Sequence, residues 1–288
     1  MRRILVTGGF GQLGQAIFVM SKDSHNLYSI ATRAELDITD GGALERYVTE
    51  LSIDTIVNCA AYTNVEGAED NAESAYAINS DAVATIANVC NKHGIKLIHI
   101  STDYVFGGDS GRDTPYREDD TPSPINVYGA SKASGEREAL RAAGSIVIRT
   151  SWLYAPWGKN FMLTILRLSE GNEELRVVND QHGTPTSALA LAETIVNIID
   201  NGSIDSMSGI YHYTDGGATT WYDFAREIVA SVGIEGCHVV ACSTSERKTK
   251  ARRPAYSVLD TRRIAHIEGV RILPWRERLS EVMNLIKE

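Results

Sequence analysis

Tyr128 and Lys132 stand four residues apart in Tyr128-Gly129-Ala130-Ser131-Lys132. On a helix that spacing puts both side chains on one face. An ammonium beside a phenol favours the phenolate, so the pair predicts a tyrosine pKa drawn from about 10 towards neutrality. Such a phenol can give a proton to a substrate oxygen, or take one from it, at working pH. The spacing also fits an exposed tyrosine lying along a lysine stem. Three further segments, in order along the chain, favour the chemistry.

The first is Gly8-Gly9-Phe10-Gly11-Gln12-Leu13-Gly14, directly after the apolar run Ile4 to Thr7. The run reads as a buried parallel strand and Gln15 to Met20 as an amphipathic helix. Glycines between a strand and a helix give a tight turn and let the backbone approach a pyrophosphate. The helix N-terminus then offers free N–H groups to the phosphates. The segment nominates Gly8, Gly11, Gln12 and Leu13 for cofactor binding. A second strand, near Leu27 to Ala31, ends in Thr32-Arg33 and not in an acid. A carboxylate there would take ribose hydroxyls, whereas the fork of Arg33 suits a 2′-phosphate. NADPH is therefore expected, with NADH as the alternative. Asp37 and Ile38 follow, where a loop could cover adenine; Asp37 could equally cap a helix over Gly41 to Leu51. A third strand runs from Asp54 into Ala60-Ala61-Tyr62, and its two alanines leave room for a cofactor across the strand end, beside Tyr62. Asn79 interrupts a helical stretch, Ala72 to His93, and reads either as a cofactor contact or as a buried amide bonded to backbone.

The second segment is the strand Lys96 to Ile100, running into Ser101-Thr102-Asp103-Tyr104. Hydroxyls at the carboxyl end of a central strand are placed for substrate. The polar loop Gly107 to Pro124 reads as a border of the site. The third comes after the helix carrying Tyr128 and Lys132: a strand from Ser145 to Arg149, leading to Trp152. Beyond it the alternation loosens: helices at Asn160 to Leu168, Ala188 to Ile199, Thr219 to Ser231 and Trp275 to Ile286, with short strands at Leu175 to Val178 and Gly209 to Tyr213. The expected fold is α/β, a Rossmann-like doubly wound parallel sheet with a smaller, mixed α/β C-terminal substrate-binding lobe. Residues 1–151 with about 184–213 form the dinucleotide domain, and 152–183 with 214–288 the lobe.

Composition limits the partners. The 288 residues are 43% hydrophobic, enough for a large core, and carry a net charge of −9. That charge argues against a nucleic-acid surface, which needs a basic face. The four cysteines lack paired-ligand spacing, and no dense carboxylate or histidine cluster is evident, so no metal is expected. The N-terminus enters a strand without a signal-like apolar stretch, and no apolar run could span a membrane; a cytoplasmic protein is expected.

Together Gly8-x-x-Gly11-x-x-Gly14, Ser101-Thr102 and Tyr128-x-x-x-Lys132 resemble the extended short-chain dehydrogenase/reductases. Cys59-Ala-Ala-Tyr-Thr63, Ser101-Thr-Asp-Tyr-Val-Phe106, Arg149-Thr-Ser-Trp-Leu-Tyr154, Val178-Asn-Asp-Gln181 and Arg253-Pro-Ala-Tyr-Ser257 are similar to the dTDP-4-dehydrorhamnose reductases, from Ile4 to the last helix. The resemblance implies NADPH-dependent reduction of the C4 keto group of dTDP-4-dehydro-L-rhamnose by a monomer or homodimer. It makes Tyr128 the proton donor, Lys132 the holder of the nicotinamide ribose and Thr102 a hydrogen-bond partner of the same substrate oxygen. It places Thr63, Val65, Tyr104 and Trp152 around the sugar; Asn160, Gln181 and Arg253 are candidates nearer the nucleotide diphosphate. Glu66 stands where aspartate is more usual. Some of these reductases are described as using Mg²⁺. Other outcomes remain open: a reductase of another dTDP-4-keto-6-deoxysugar, a non-catalytic NADP-binding subunit resembling methionine adenosyltransferase β, or a structural relic.

Overall fold

The protein, seen in a computed structural model describing residues 1–287, is built on a six-stranded parallel sheet. Its strands are β1 (Arg3–Thr7), β2 (Leu27–Ala31), β3 (Thr55–Asn58), β4 (Lys96–Thr102), β5 (Ile146–Thr150) and a sixth, Gly209–His212, in the spatial order sixth–β5–β4–β3–β1–β2. The order reverses between β1 and β3. In an open parallel sheet that switch point opens a crevice at the carboxyl ends of the strands.

The layers follow from alternation along β1. Ile4 and Val6 face a core formed with α1 (Gln12–Met20) and, later in the chain, with the helix Ala188–Asp200. Leu5 faces the opposite core, which takes Leu44 and Val48 of α2 (Gly41–Glu50) and residues of the helix Ala82–His93. Successive strand side chains point to opposite faces, so a strand covered on both sides is apolar throughout. Ile4, Leu5 and Val6 are all fully buried. The first core continues through Phe224 and Ile228 of the helix Trp221–Ser231 to Leu279 and Val282 of the last helix, Trp275–Lys287.

Two departures from the sequence pattern have physical causes. The stretch from 72 to 93 is not one α-helix. It divides into α4 (Ala72–Tyr76), preceded by α3 (Val65–Asp70), a π-helical turn at Ala77–Asp81, and α5 (Ala82–His93). The π turn holds Asn79, whose side chain exchanges two hydrogen bonds with the Tyr62 backbone, at 2.8 and 3.1 Å, and donates to Ser131 Oγ at 2.9 Å. The strand His238–Cys242, paired in parallel with Glu174–Val178, carries no sequence signal because only Cys242 in it is buried.

The helix α6 (Val127–Ala139) approaches its neighbours more closely than a side chain allows. A Cβ on Gly129 would lie 2.0 Å from the Tyr104 carbonyl oxygen, and one on Gly135 would lie 1.9 Å from that of Asn79. Gly135→Ala should therefore force α6 away and cost roughly 1–3 kcal/mol, the range for overpacking a close-packed contact. Chemical denaturation checks this, and an unchanged midpoint would contradict the contact.

Candidate active site

A cavity of about 670 Å³ opens at the carboxyl ends of the parallel strands. Its floor is the glycine turn. Gly8 has φ +72°, and a Cβ on it would lie 2.8 Å from the Ala60 nitrogen; one on Gly14 would lie 2.5 Å from the Gly8 carbonyl oxygen. Gly11 is the N-cap of α1, and no side chain caps the helix there. Gly8, Gly11, Gln12 and Leu13 line the cavity, with Ala60 and Ala61 on the facing strand end. A bare backbone against a helix N-terminus fits an anionic diphosphate.

At one edge Arg33 lies beside Asp37, 3.5 Å away, with its side chain 78% exposed. Asp37 takes hydrogen bonds from the Thr39 N–H and hydroxyl, at 3.0 and 2.7 Å, which hold its pKa below the usual carboxylate range. It does not cap α2; Asp40 does, accepting from the Ala43 N–H at 2.9 Å. Asp37 and Ile38 line the cavity.

Thr102, Tyr128 and Lys132 share another wall of the same cavity. The buried Lys132 donates to the Ile100 carbonyl at 2.7 Å, and burial draws its pKa down to about 8. The expected depression of the Tyr128 pKa is not found. Burial pushes the phenol up to about 12, although the neighbouring Thr102 hydroxyl pulls the other way. Removal from water disfavours the phenolate more than these neighbours favour it, and the Lys132 nitrogen is turned to a carbonyl. The Thr102 hydroxyl donates to Asp103 Oδ1 at 3.1 Å, and the Ser257 hydroxyl donates to Asp103 Oδ2 at 2.6 Å. Burial raises Asp103 to about 7.

Thr63, Val65, Tyr104 and Trp152 also line the cavity. Trp152 has φ +45°, a strained conformation for a bulky residue. Its ring stacks on Trp221 at 3.5 Å, and Gly183 leaves the space its edge occupies. Five nominated residues stand outside the cavity wall. Tyr62 and Asn79 bond each other behind it. Asn160 caps a helix, α7 (Phe161–Ser169), and its amide nitrogen donates to Gln12 Oε1 at 2.9 Å, so it steadies the glycine turn from behind. Gln181 is buried and donates to Thr244 Oγ1 at 3.0 Å; Arg253 pairs with Glu66 at 2.7 Å. The loop Gly107 to Pro124 does not border this cavity. Through Arg112 and Arg117 it borders a second one, of about 560 Å³.

Lys159, Trp221 and Thr150 line the main cavity without having been singled out from the sequence. Lys159 follows Gly158 on a segment held to the glycine turn, where Trp157 Nε1 donates to the Gln12 carbonyl at 3.2 Å. Nothing in the sequence of that segment signals its proximity to residue 12. Among the described residues no group of three or more His, Cys, Asp and Glu side chains is placed to hold a metal, and no helix is long and apolar enough to cross a membrane.

Comparison with known proteins agrees with this geometry. The family model of the RmlD substrate binding domain matches residues 1–287. The chain is 38% identical over 285 residues to the spore coat polysaccharide biosynthesis protein SpsK of Bacillus subtilis, covering 99% of this chain and 98% of that one. It superposes on a dTDP-4-dehydrorhamnose reductase from Clostridium acetobutylicum with a TM-score of 0.93 and 35% identity, covering 99% and 100% of the two chains. The reductase of Bacillus anthracis, solved in complex with NADP, gives a TM-score of 0.89 at 34% identity over 99% of both.

The raised pKa of Asp103 sets a pH dependence of stability. The folded state holds this proton more tightly than the unfolded chain, so the group's contribution is full below about pH 4 and is lost as pH rises through about 7. Asp103→Asn should melt higher than the wild type near pH 8, with the gap closing towards pH 4. Thermal melts across that range check this; a wild-type advantage growing with pH would contradict it.

Proposed function

This chain belongs to the family of the RmlD substrate binding domain and is an oxidoreductase; from that premise we propose that it uses NADPH to reduce the C4 keto group of dTDP-4-dehydro-L-rhamnose, giving dTDP-L-rhamnose. One observation carries the reading: the glycine cradle and the set Thr102, Tyr128 and Lys132 open onto one cavity. The NADP-bound relative supports the choice of cofactor. When bound, the dinucleotide supplies the hydride.

The chain's own residues do the rest. Gly8, Gly11, Gln12 and Leu13 hold the diphosphate, and Ala60 and Ala61 give the cofactor room. Arg33 takes the 2′-phosphate by letting go of Asp37, a weak exposed pair. With its pKa at about 12, Tyr128 is a neutral phenol at working pH and so carries the proton that the developing alkoxide needs. Thr102 orients that oxygen, where preset donors act most strongly because charge builds there. Lys132 holds the ribose and steadies the phenolate left behind. Thr63, Val65, Tyr104 and Trp152 receive the sugar, with Trp221 backing Trp152. Residues 1–151 with about 184–213 serve the cofactor, and 152–183 with 214–288 the substrate.

Loss of NADPH absorbance with the keto sugar tests the reaction. Tyr128→Phe should lower kcat roughly a hundred- to ten-thousand-fold with NADPH affinity kept, as for loss of a general acid; retained turnover would reject Tyr128 as the donor. Arg33→Ala should weaken NADPH by about 1–2 kcal/mol, the scale of a charge-assisted hydrogen bond, and leave NADH nearly unchanged. Equal losses for the two cofactors in a binding titration would remove Arg33 from this role.

A further inference from the structure

One buried titratable side chain beside Lys132 has no part in this chemistry so far. His99, on β4, is wholly buried. Its Nε2 lies 3.4 Å from Lys132 Nζ, and its Nδ1 lies 3.1 Å from the side-chain amide nitrogen of Asn58 on β3. The oxygen of that amide accepts from the Thr7 hydroxyl on β1 at 2.6 Å. Three adjacent strands and α6 thus contribute to one dry line of polar groups that ends at Lys132. The other titratable groups bearing on Lys132 are Cys59, just past β3, and Glu136, one turn along α6; Tyr128 shares its helix.

Such a line is costly to bury unless every member finds a partner. An ammonium has three hydrogens. One goes to the Ile100 carbonyl. A second meets His99, but only if Nε2 is bare. The ring proton then sits on Nδ1 and needs an acceptor, and the Asn58 amide beside it supplies one once it is turned end for end, its oxygen to the ring and its nitrogen to Thr7. The Thr7 hydroxyl allows the turn, because it accepts from an amide nitrogen as readily as it donates to an oxygen. A doubly protonated ring is disfavoured, since burial and the neighbouring lysine hold the His99 pKa well below its usual value. The ring packs beside α6 at Gly135, where a Cβ would stand at an ordinary 3.7 Å from Nε2.

We propose that His99 is a positioning residue for Lys132: a neutral imidazole, braced by Asn58 and Thr7, that accepts one lysine hydrogen and leaves the third directed to the cavity. This role presupposes that Lys132 holds the cofactor ribose in the reaction proposed above. Without the imidazole the ammonium loses an acceptor, so its pKa falls further and its nitrogen is free to swing.

The test has two arms on the full-length protein. Nitrogen NMR of isotope-labelled histidine, read without any turnover, should show His99 protonated at Nδ1 and bare at Nε2; a ring protonated at Nε2 would overturn the proposal. In kinetics, His99→Leu should raise KM for NADPH about tenfold, the loss of one hydrogen bond to a charged group. It should also move the pH limb that reports Lys132 towards acid. His99→Gln, whose amide oxygen can accept, should recover most of both effects at matched melting temperature. Equal defects in the two variants, or an unmoved limb, would overturn the positioning role. A wild type that turns over no keto sugar would instead count against the parent reaction, and the ring tautomer would still decide whether the line is built as described.

Discussion

The site depends on one buried ion pair. Glu136 of α6 receives the Arg149 guanidinium of β5 through two hydrogen bonds, at 2.8 and 2.7 Å, and the Ser101 hydroxyl of β4 at 2.6 Å. All three residues are buried. Taking two charges out of water is costly, and only such geometry offsets it; removing either partner strands the other. The pair ties the helix that carries Tyr128 and Lys132 to the two strands whose carboxyl ends carry Thr102 and Thr150. With the glycine contacts at 129 and 135, it sets where the phenol and the lysine stand relative to the strand ends.

Burial is also what sets the charge states. Lys132 is drawn down and Tyr128 and Asp103 are pushed up by the same cause, removal from water. The phenol therefore keeps its proton, and the lysine is a cation that needs acceptors. The Ile100 carbonyl is an acceptor beside it, and the His99 ring stands 3.4 Å away. A tyrosine in this wall suits delivery of a proton to an oxygen gaining charge.

Much of the fold was legible because parallel strands are apolar throughout and glycine punctuates them. Ile4 to Thr7 followed by Gly8 is such a case, and all six strands of the main sheet lie where the pattern put them. The π turn at 77–81 was hidden, because its cause is Asn79 reaching across to Tyr62 and Ser131. The strand at 238–242 was hidden by its exposure. Residues beside a glycine turn or a strand end, such as Gln12, Ala60, Thr102 and Tyr104, line the main cavity, and their position in the sequence pattern is what pointed there. Asn160, Gln181 and Arg253 were not separable from cavity residues by type alone: a polar side chain that braces a wall has the same chemistry as one that forms it. The pKa of Tyr128 was misjudged because local spacing records a neighbouring charge and not the loss of water. Lys159 and Trp221 needed the tertiary structure, since the loop 155–160 and the helix Trp221–Ser231 reach the cavity from distant parts of the chain.

The reaction is tested most directly by following the hydride. NADPH carrying deuterium at the transferable position, mixed with dTDP-4-dehydro-L-rhamnose and the wild-type protein, should yield dTDP-L-rhamnose with one deuterium at C4 of the sugar. Product without deuterium at that carbon, or NADPH left unconsumed while it binds, would contradict hydride transfer to the C4 keto group.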